Sequence, residues 1–218
     1  MSKLMPSKAE SALLQPFKAL LLEQIFIPKT RQEFADATAE IVAAGVAGFD
    51  TEAKPLFNKG DVSDGPHVVQ FAIQHKAFIF QLNQAECQPF LVELLQSAAV
   101  LKVGFGLKSD HGQINNKLGV KLAAVLDMNH VFRRDGYGSS TGVRAAVALV
   151  LKQKFHKSKS VTTSNWALPQ LNSRQLIYAA NDAYAALQVL NALGRSREEL
   201  PVSGQGAEFE HDGLDSDN

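Results

Sequence analysis

One cysteine, Cys87, stands in 218 residues, so an internal disulfide and a cysteine-rich zinc site are both excluded. No apolar run approaches the roughly 20 residues that a membrane helix needs, and Met1-Ser2-Lys3-Leu4-Met5-Pro6 lacks the apolar core of a secretory signal. The expected location is therefore the cytoplasm, with no membrane partner. No Gly-Lys-Thr or Gly-Lys-Ser phosphate loop occurs. Gly104-x-Gly106 resembles the start of a dinucleotide fingerprint, but Ser109 stands where that pattern has its third glycine. The six histidines show no metal-ligand spacing, and no internal repeat is present. Lys and Arg are absent after Arg197, whereas seven acids lie between Glu198 and Asn218. Residues 1–197 thus carry 22 bases against 15 acids, a basic body suited to a polyanionic partner.

What is present is an ordinary globular composition, 45% hydrophobic and 20% charged, enough for one well-buried domain. The apolar segment from Ala12 to Leu22 is compatible with a helix, which makes residues 1–27 an N-terminal helical extension. Thr30-Arg31-Gln32-Glu33 fits a capping box for a helix running to about Ala44, with Gly45 as its stop. A strand follows at residues 46–52. Residues 68–73 and 77–82, separated by Gln74-His75-Lys76, read as an antiparallel hairpin. Helix is expected from Cys87 to Ala98, strand from Val100 to Phe105, helix from Asp110 to Leu118, a short strand from Leu122 to Leu126 and helix from Thr141 to Lys154. The segment from Ser173 to Leu193 has apolar residues at helical spacing and closes on Gly194. Strands first, then strand and helix in alternation, predict an α/β domain with a mixed sheet over residues 28–200. The tail, 201–218, has too little apolar content to offset its ordering entropy and is expected to be disordered.

The candidate chemistry starts at Val46-Ala47-Gly48-Phe49-Asp50-Thr51-Glu52. A strand points residues of one parity to one face, so Asp50 and Glu52 converge, and two acids at a strand end call for a cation. Such a triplet arises by chance in roughly one chain in two of this length, so it needs partners. Asp110 follows the strand at 100–105 through a glycine-containing turn. On the last helix, Tyr178-Ala179-Ala180-Asn181-Asp182 puts a phenol and a carboxylate on one face, a turn apart. Asp182 lies in a very apolar stretch, where an unpaired carboxylate is costly and a cation would relieve it.

Together, Gly48-Phe49-Asp50-Thr51-Glu52, Lys102-Val103-Gly104 with Asp110, and Tyr178-Ala179-Ala180-Asn181-Asp182-Ala183-Tyr184 resemble the three motifs of the DEDDy 3'-5' exonucleases. That group includes ribonuclease D and the exonuclease domain of the Werner-type helicases. Lys157-Ser158 and Ser164-Asn165-Trp166 are similar to the segment leading into the third motif. The resemblance covers about residues 28–194 and implies a ribonuclease H-like mixed sheet flanked by helices. It also implies two divalent ions, Mg²⁺ or Mn²⁺, held by Asp50, Glu52, Asp110 and Asp182. Asp50 would bridge both ions, Glu52 and Asp182 would complete the site on the nucleophile side, and Asp110 would serve the leaving-group side. Tyr178, whose ordinary pKa near 10 makes it a poor base at neutral pH, would orient the attacking water. The implied partner is a single-stranded or frayed 3' end of RNA or DNA, with nucleoside 5'-monophosphates as products. Thr51, Phe105, Lys157 and Trp166 are the candidate nucleic-acid contacts, with Lys152, Lys154, Lys159, Arg133, Arg134 and Arg144 as further cations. The alternative from another class is an exonuclease-like module that binds nucleic acid or protein without turning it over.

Overall fold

The computed structural model describes residues 3–56, 60–138 and 141–204. The N-terminal segment is a short helix α1 (Lys8–Ala12), a two-residue strand β1 (Gln15–Pro16) and a 3₁₀ turn at Leu22–Gln24 leading into β2 (Ile25–Phe26). The helix expected from Ala12 to Leu22 is therefore not formed. Pro16 has no N–H to give a helix and forces Gln15 into extended backbone. The freed backbone is used elsewhere: β1 pairs in parallel with β8 (Gln153–Lys154), and Leu20 exchanges two hydrogen bonds with the Asn181 side chain, at 2.7 and 3.2 Å.

Helix α2 (Arg31–Ala44) begins on the expected box, with Thr30 and Glu33 satisfying one another's backbone donors, and ends at Gly45 in the left-handed region. Then come β3 (Val46–Glu52), the hairpin β4 (Val68–Ile73) and β5 (Lys76–Gln81), α3 (Cys87–Gln96), β6 (Leu101–Gly104), α4 (Lys108–Leu118) and β7 (Val125–Asp127). Helices α5 (Met128–Arg134) and α6 (Gly142–Ala146) follow, and α6 widens into a π-helical turn at Val147–Leu151 before β8. Short α7 (Lys159–Thr162) and long α8 (Ser173–Leu193) complete the domain. The tail from 205 onward lies outside the described residues.

Six strands form a mixed sheet in the order β2-β5-β4-β3-β6-β7. The hairpin and β3 are antiparallel neighbours, and β6 and β7 run parallel to β3. Alternation along β3 sends Ala47 and Phe49 to one face, where they meet Phe34, Ile41, Leu91 and Leu95 of α2 and α3. Gly48, Asp50 and Glu52 share the other face, which α8 covers with Ala179, Ala180 and Ala183. Gly48 has a specific reason to lack a side chain: a Cβ there would lie 1.9 Å from the Ala183 carbonyl oxygen. The helix backbone rests directly on the strand. That contact sets the depth at which α8 presents its polar residues to the strand end.

Candidate active site

Strand β3 delivers Asp50 and Glu52, and α8 delivers Asp182, so that one carboxylate oxygen from each lies within 4.8 Å of the others. Asp182 is only 4% exposed. Its Oδ2 meets the Lys157 ammonium at 2.7 Å, and hydrogen bonding from Lys157 and Tyr178 favours its charged form. Asp110, in the first turn of α4, joins the group through Thr51, whose hydroxyl donates to Asp110 Oδ1. The Ser109 hydroxyl donates to Asp110 Oδ2 at 3.3 Å, and the Thr51 amide to Asp50 Oδ1 at 2.9 Å. Phe105 and Lys157 line the same cavity of about 210 Å³ as Asp50 and Asp182.

The electrostatics follow from this crowding. Burial and then the carboxylates of Asp110 and Asp182 push the Asp50 pKa far above its ordinary range. Glu52 is pushed up in the same way, by burial and then by Asp50 and Asp182. Burial also raises Asp110 and Asp182, opposed by Thr51 in the first case and Lys157 in the second. Burial disfavours the Lys157 ammonium, but Asp182 and Asp50 overcome that and hold its pKa above the usual lysine value. Four acids with a single ammonium among them make a site that is short of positive charge.

Tyr178 is buried and its pKa is raised, by burial first and then by Asp182. Its hydroxyl is 2.8 Å from that of Thr162 on α7, and Lys157 sits over its ring at 5.5 Å. Trp166 is 1% exposed, its ring 5.9 Å from that of Tyr178 and its indole N–H donating to the Thr162 carbonyl at 3.3 Å. The expectation of a strand contact from Trp166 therefore gives way to a packing role: the indole is a floor beneath the phenol. Thr51 likewise spends its hydroxyl on Asp110 and its amide on Asp50.

A family model described as 3'-5' exonuclease matches residues 25–197. The chain belongs to the 3'-5' exonuclease family. The mouse bifunctional 3'-5' exonuclease/ATP-dependent helicase WRN is 28% identical over 161 residues, which are 73% of this chain and 12% of that protein. A 3'-5' exonuclease of Arabidopsis thaliana is 24% identical over 168 residues, 75% of this chain and 57% of its own. Among solved structures, RNase D of Trypanosoma brucei superposes with a TM-score of 0.71 at 19% identity, covering 80% of this chain and 66% of that one. The Nibbler EXO domain of Aedes aegypti gives 0.67 at 21% identity, covering 82% and 90%. The trypanosomal RNase D has also been solved in complex with RNA U12. These neighbours share the expected ribonuclease H-like fold, and the dinucleotide alternative falls away.

The exonuclease domain uses residues that sequence reading passed over. Asp127, at the end of β7, accepts from the amides of Gly106 and Leu107 at 3.0 and 2.9 Å and caps α5 through Asn129. It thereby fixes the turn that carries Asp110. Val125-Leu126-Asp127 repeats the pattern of an apolar strand ending in an acid, and that was its signal. Gln70 pairs with Asp50 across β3 and β4, fully buried, with both amide atoms lacking partners. A lone amide in Val68-Val69-Gln70-Phe71 was the corresponding sign. Thr162 carried none, because its bond to Tyr178 spans two helices.

The donor set suits hard divalent cations: oxygen ligands and several charges crowded within 4.8 Å of one another.

Proposed function

We propose that the exonuclease domain hydrolyses the terminal phosphodiester of a nucleic acid strand from its 3' end, with two divalent ions, Mg²⁺ or Mn²⁺. The observation that carries this reading is the convergence of the Asp50, Glu52 and Asp182 carboxylates, with Asp110 tied in through Thr51. Asp50, Glu52, Asp110 and Asp182 would hold the ions. When bound, the ions supply a more acidic water and positive charge for the departing 3' oxygen.

The protein's own groups do the rest. Tyr178, its hydroxyl aimed by Thr162 and its ring packed against Trp166, positions the attacking water by hydrogen bonding. Lys157 offers an ammonium that exchanges Asp182 for a non-bridging phosphate oxygen when the strand enters. Phe105, stacked on Phe132 at 6.3 Å, presents a ring at the cavity wall for the terminal base. Water adds to phosphorus, the bond to the 3' oxygen breaks, and a nucleoside 5'-monophosphate leaves a strand shortened by one unit. The RNA-bound RNase D supports a nucleic acid substrate. Incubating 5'-labelled RNA and DNA strands with Mn²⁺ or Mg²⁺ tests the proposal. A ladder that descends from the 3' end and disappears with EDTA is expected, and no ladder on either strand would overturn it in favour of a binding module.

A further inference from the structure

The segment ahead of the family match is fastened to the domain at both ends. The Lys3 amide donates to the Gly136 carbonyl at 2.8 Å, and its ammonium lies over the Tyr137 ring at 5.4 Å. From there the chain passes through α1 to β1, which pairs with β8, while Phe17 packs edge-on against Phe155 at 5.3 Å. Between these anchors, α1 forms one wall of a groove of about 640 Å³ whose other walls are α6 and the start of the segment after β8. Lys8, Arg144, Lys154, His156 and Lys157 line it, and among the described residues its lining contains no acid. Glu10, the acid on α1, is spent on the Ser7 amide at 2.7 Å. Gly142, Val143 and Lys157 line both this groove and the carboxylate cavity, so the two lie side by side. A second groove is lined by Phe17, Val161, Ile177 and Tyr178 together with Lys154, His156, Arg174 and Asp182, so it mixes its cations with apolar wall and an acid that the first groove lacks.

We infer that the N-terminal segment is a strap that turns this groove into a track for the phosphate backbone of a single strand, with Lys8 and Arg144 as its outer phosphate contacts. The charge is of the right sign, although Lys157 is paired with Asp182, and the groove adjoins the carboxylates at which the 3' end must arrive. The strap lies before residue 25, where the family match begins. The inference rests on the exonuclease reading for the direction of the strand but not for the binding itself.

The test compares the full chain with the Lys8→Glu, Arg144→Glu double variant; both side chains are exposed, and thermal melting checks the fold. Binding of a fluorescent single strand is measured by anisotropy in EDTA. Affinity at low salt is expected to fall about tenfold or more, and the log–log salt slope to become shallower by about 1.4, the loss of two phosphate contacts. Turnover of the 4-nitrophenyl ester of thymidine 5'-monophosphate, which reaches only the carboxylate cavity, is expected to stay unchanged. Should the double variant melt early, Lys8→Ala alone is used, with a fall of about threefold expected. Unchanged affinity and slope would overturn the strap, as would equal binding of a blunt duplex by the parent chain. Parallel loss on the small ester would also overturn it, by placing these residues at the chemistry instead of the track. If the parent chain hydrolyses neither substrate, the exonuclease reading fails, and the binding measurement still decides the strap.

Discussion

Asp50 sits under electrostatic load, because burial and two neighbouring carboxylates all oppose its ionisation. Two opposite consequences of Asp50→Asn follow. With Mn²⁺, exonuclease rate is expected to fall by about a thousandfold, the equivalent of several kcal/mol of lost charge stabilisation, and by at least as much as for Glu52→Gln. In EDTA, at a pH high enough to ionise Asp50 despite its raised pKa, the same change removes a repelled charge, and the melting temperature is expected to rise by about 2–4 °C. A melting temperature that falls in EDTA would show that the cluster is not strained by like charge. Tyr178→Phe should lower the single-turnover rate about a hundredfold while Mn²⁺-induced stabilisation persists, and Thr162→Val should lower it about fivefold through loss of one orienting bond. Loss of the Mn²⁺ response in Tyr178→Phe would move the phenol from positioning water to holding metal. Asp50 with Glu52, and Tyr178 with Asp182, were legible as same-face pairs from their spacing on a strand and a helix, whereas their union with Asp110 in one site came from the likeness to the exonuclease motifs. Thr162, Asp127 and Gln70 were not, since their partners are set by how separate elements pack.

Among the elements, α8 and β3 matter most, and Gly48 is their hinge of contact. Gly48→Ala would drive a methyl into the Ala183 carbonyl, so α8 must lift from the sheet. A stability loss of about 1–3 kcal/mol in urea is expected, together with loss of activity as Asp182 withdraws from Asp50. Full activity in this variant would mean that the site tolerates a displaced helix. Helix α3 has a different tether: the fully buried Lys102 donates to the carbonyls of Leu94, Ser97 and Val100 at 3.0, 2.9 and 2.8 Å. Three acceptors at a helix end match the three N–H bonds of an ammonium. Lys102→Met leaves them buried and unpaired, and should cost about 2–4 kcal/mol of stability with the carboxylate geometry kept. The α2 box, the hairpin and the α8 period were readable because those patterns are local. The N-terminal segment misled because Leu13-Leu14 and Leu20-Leu21-Leu22 have helical spacing. Pro16, β8 and Asn181 decided otherwise, and only the first of these is visible in the segment itself.

Across the whole molecule, the formal charge is zero only because the acids gather at one end. Five of them, Glu208, Glu210, Asp212, Asp215 and Asp217, fall within residues 205–218, while all 22 lysines and arginines precede residue 198. An acidic end covalently attached to a basic body competes with a polyanionic substrate for the same field, whatever its conformation. Ending the chain at Gly204 should therefore speed association with a single strand and tighten binding about two- to fivefold at low salt. The gain should vanish near 0.5 M salt, where the Debye length is only about 4 Å. Stopped-flow association at several salt concentrations separates this from a contact effect. An equal gain at high salt would mean that the tail blocks the groove by occupying it, and no gain at low salt would mean that the basic body and the acidic tail act independently.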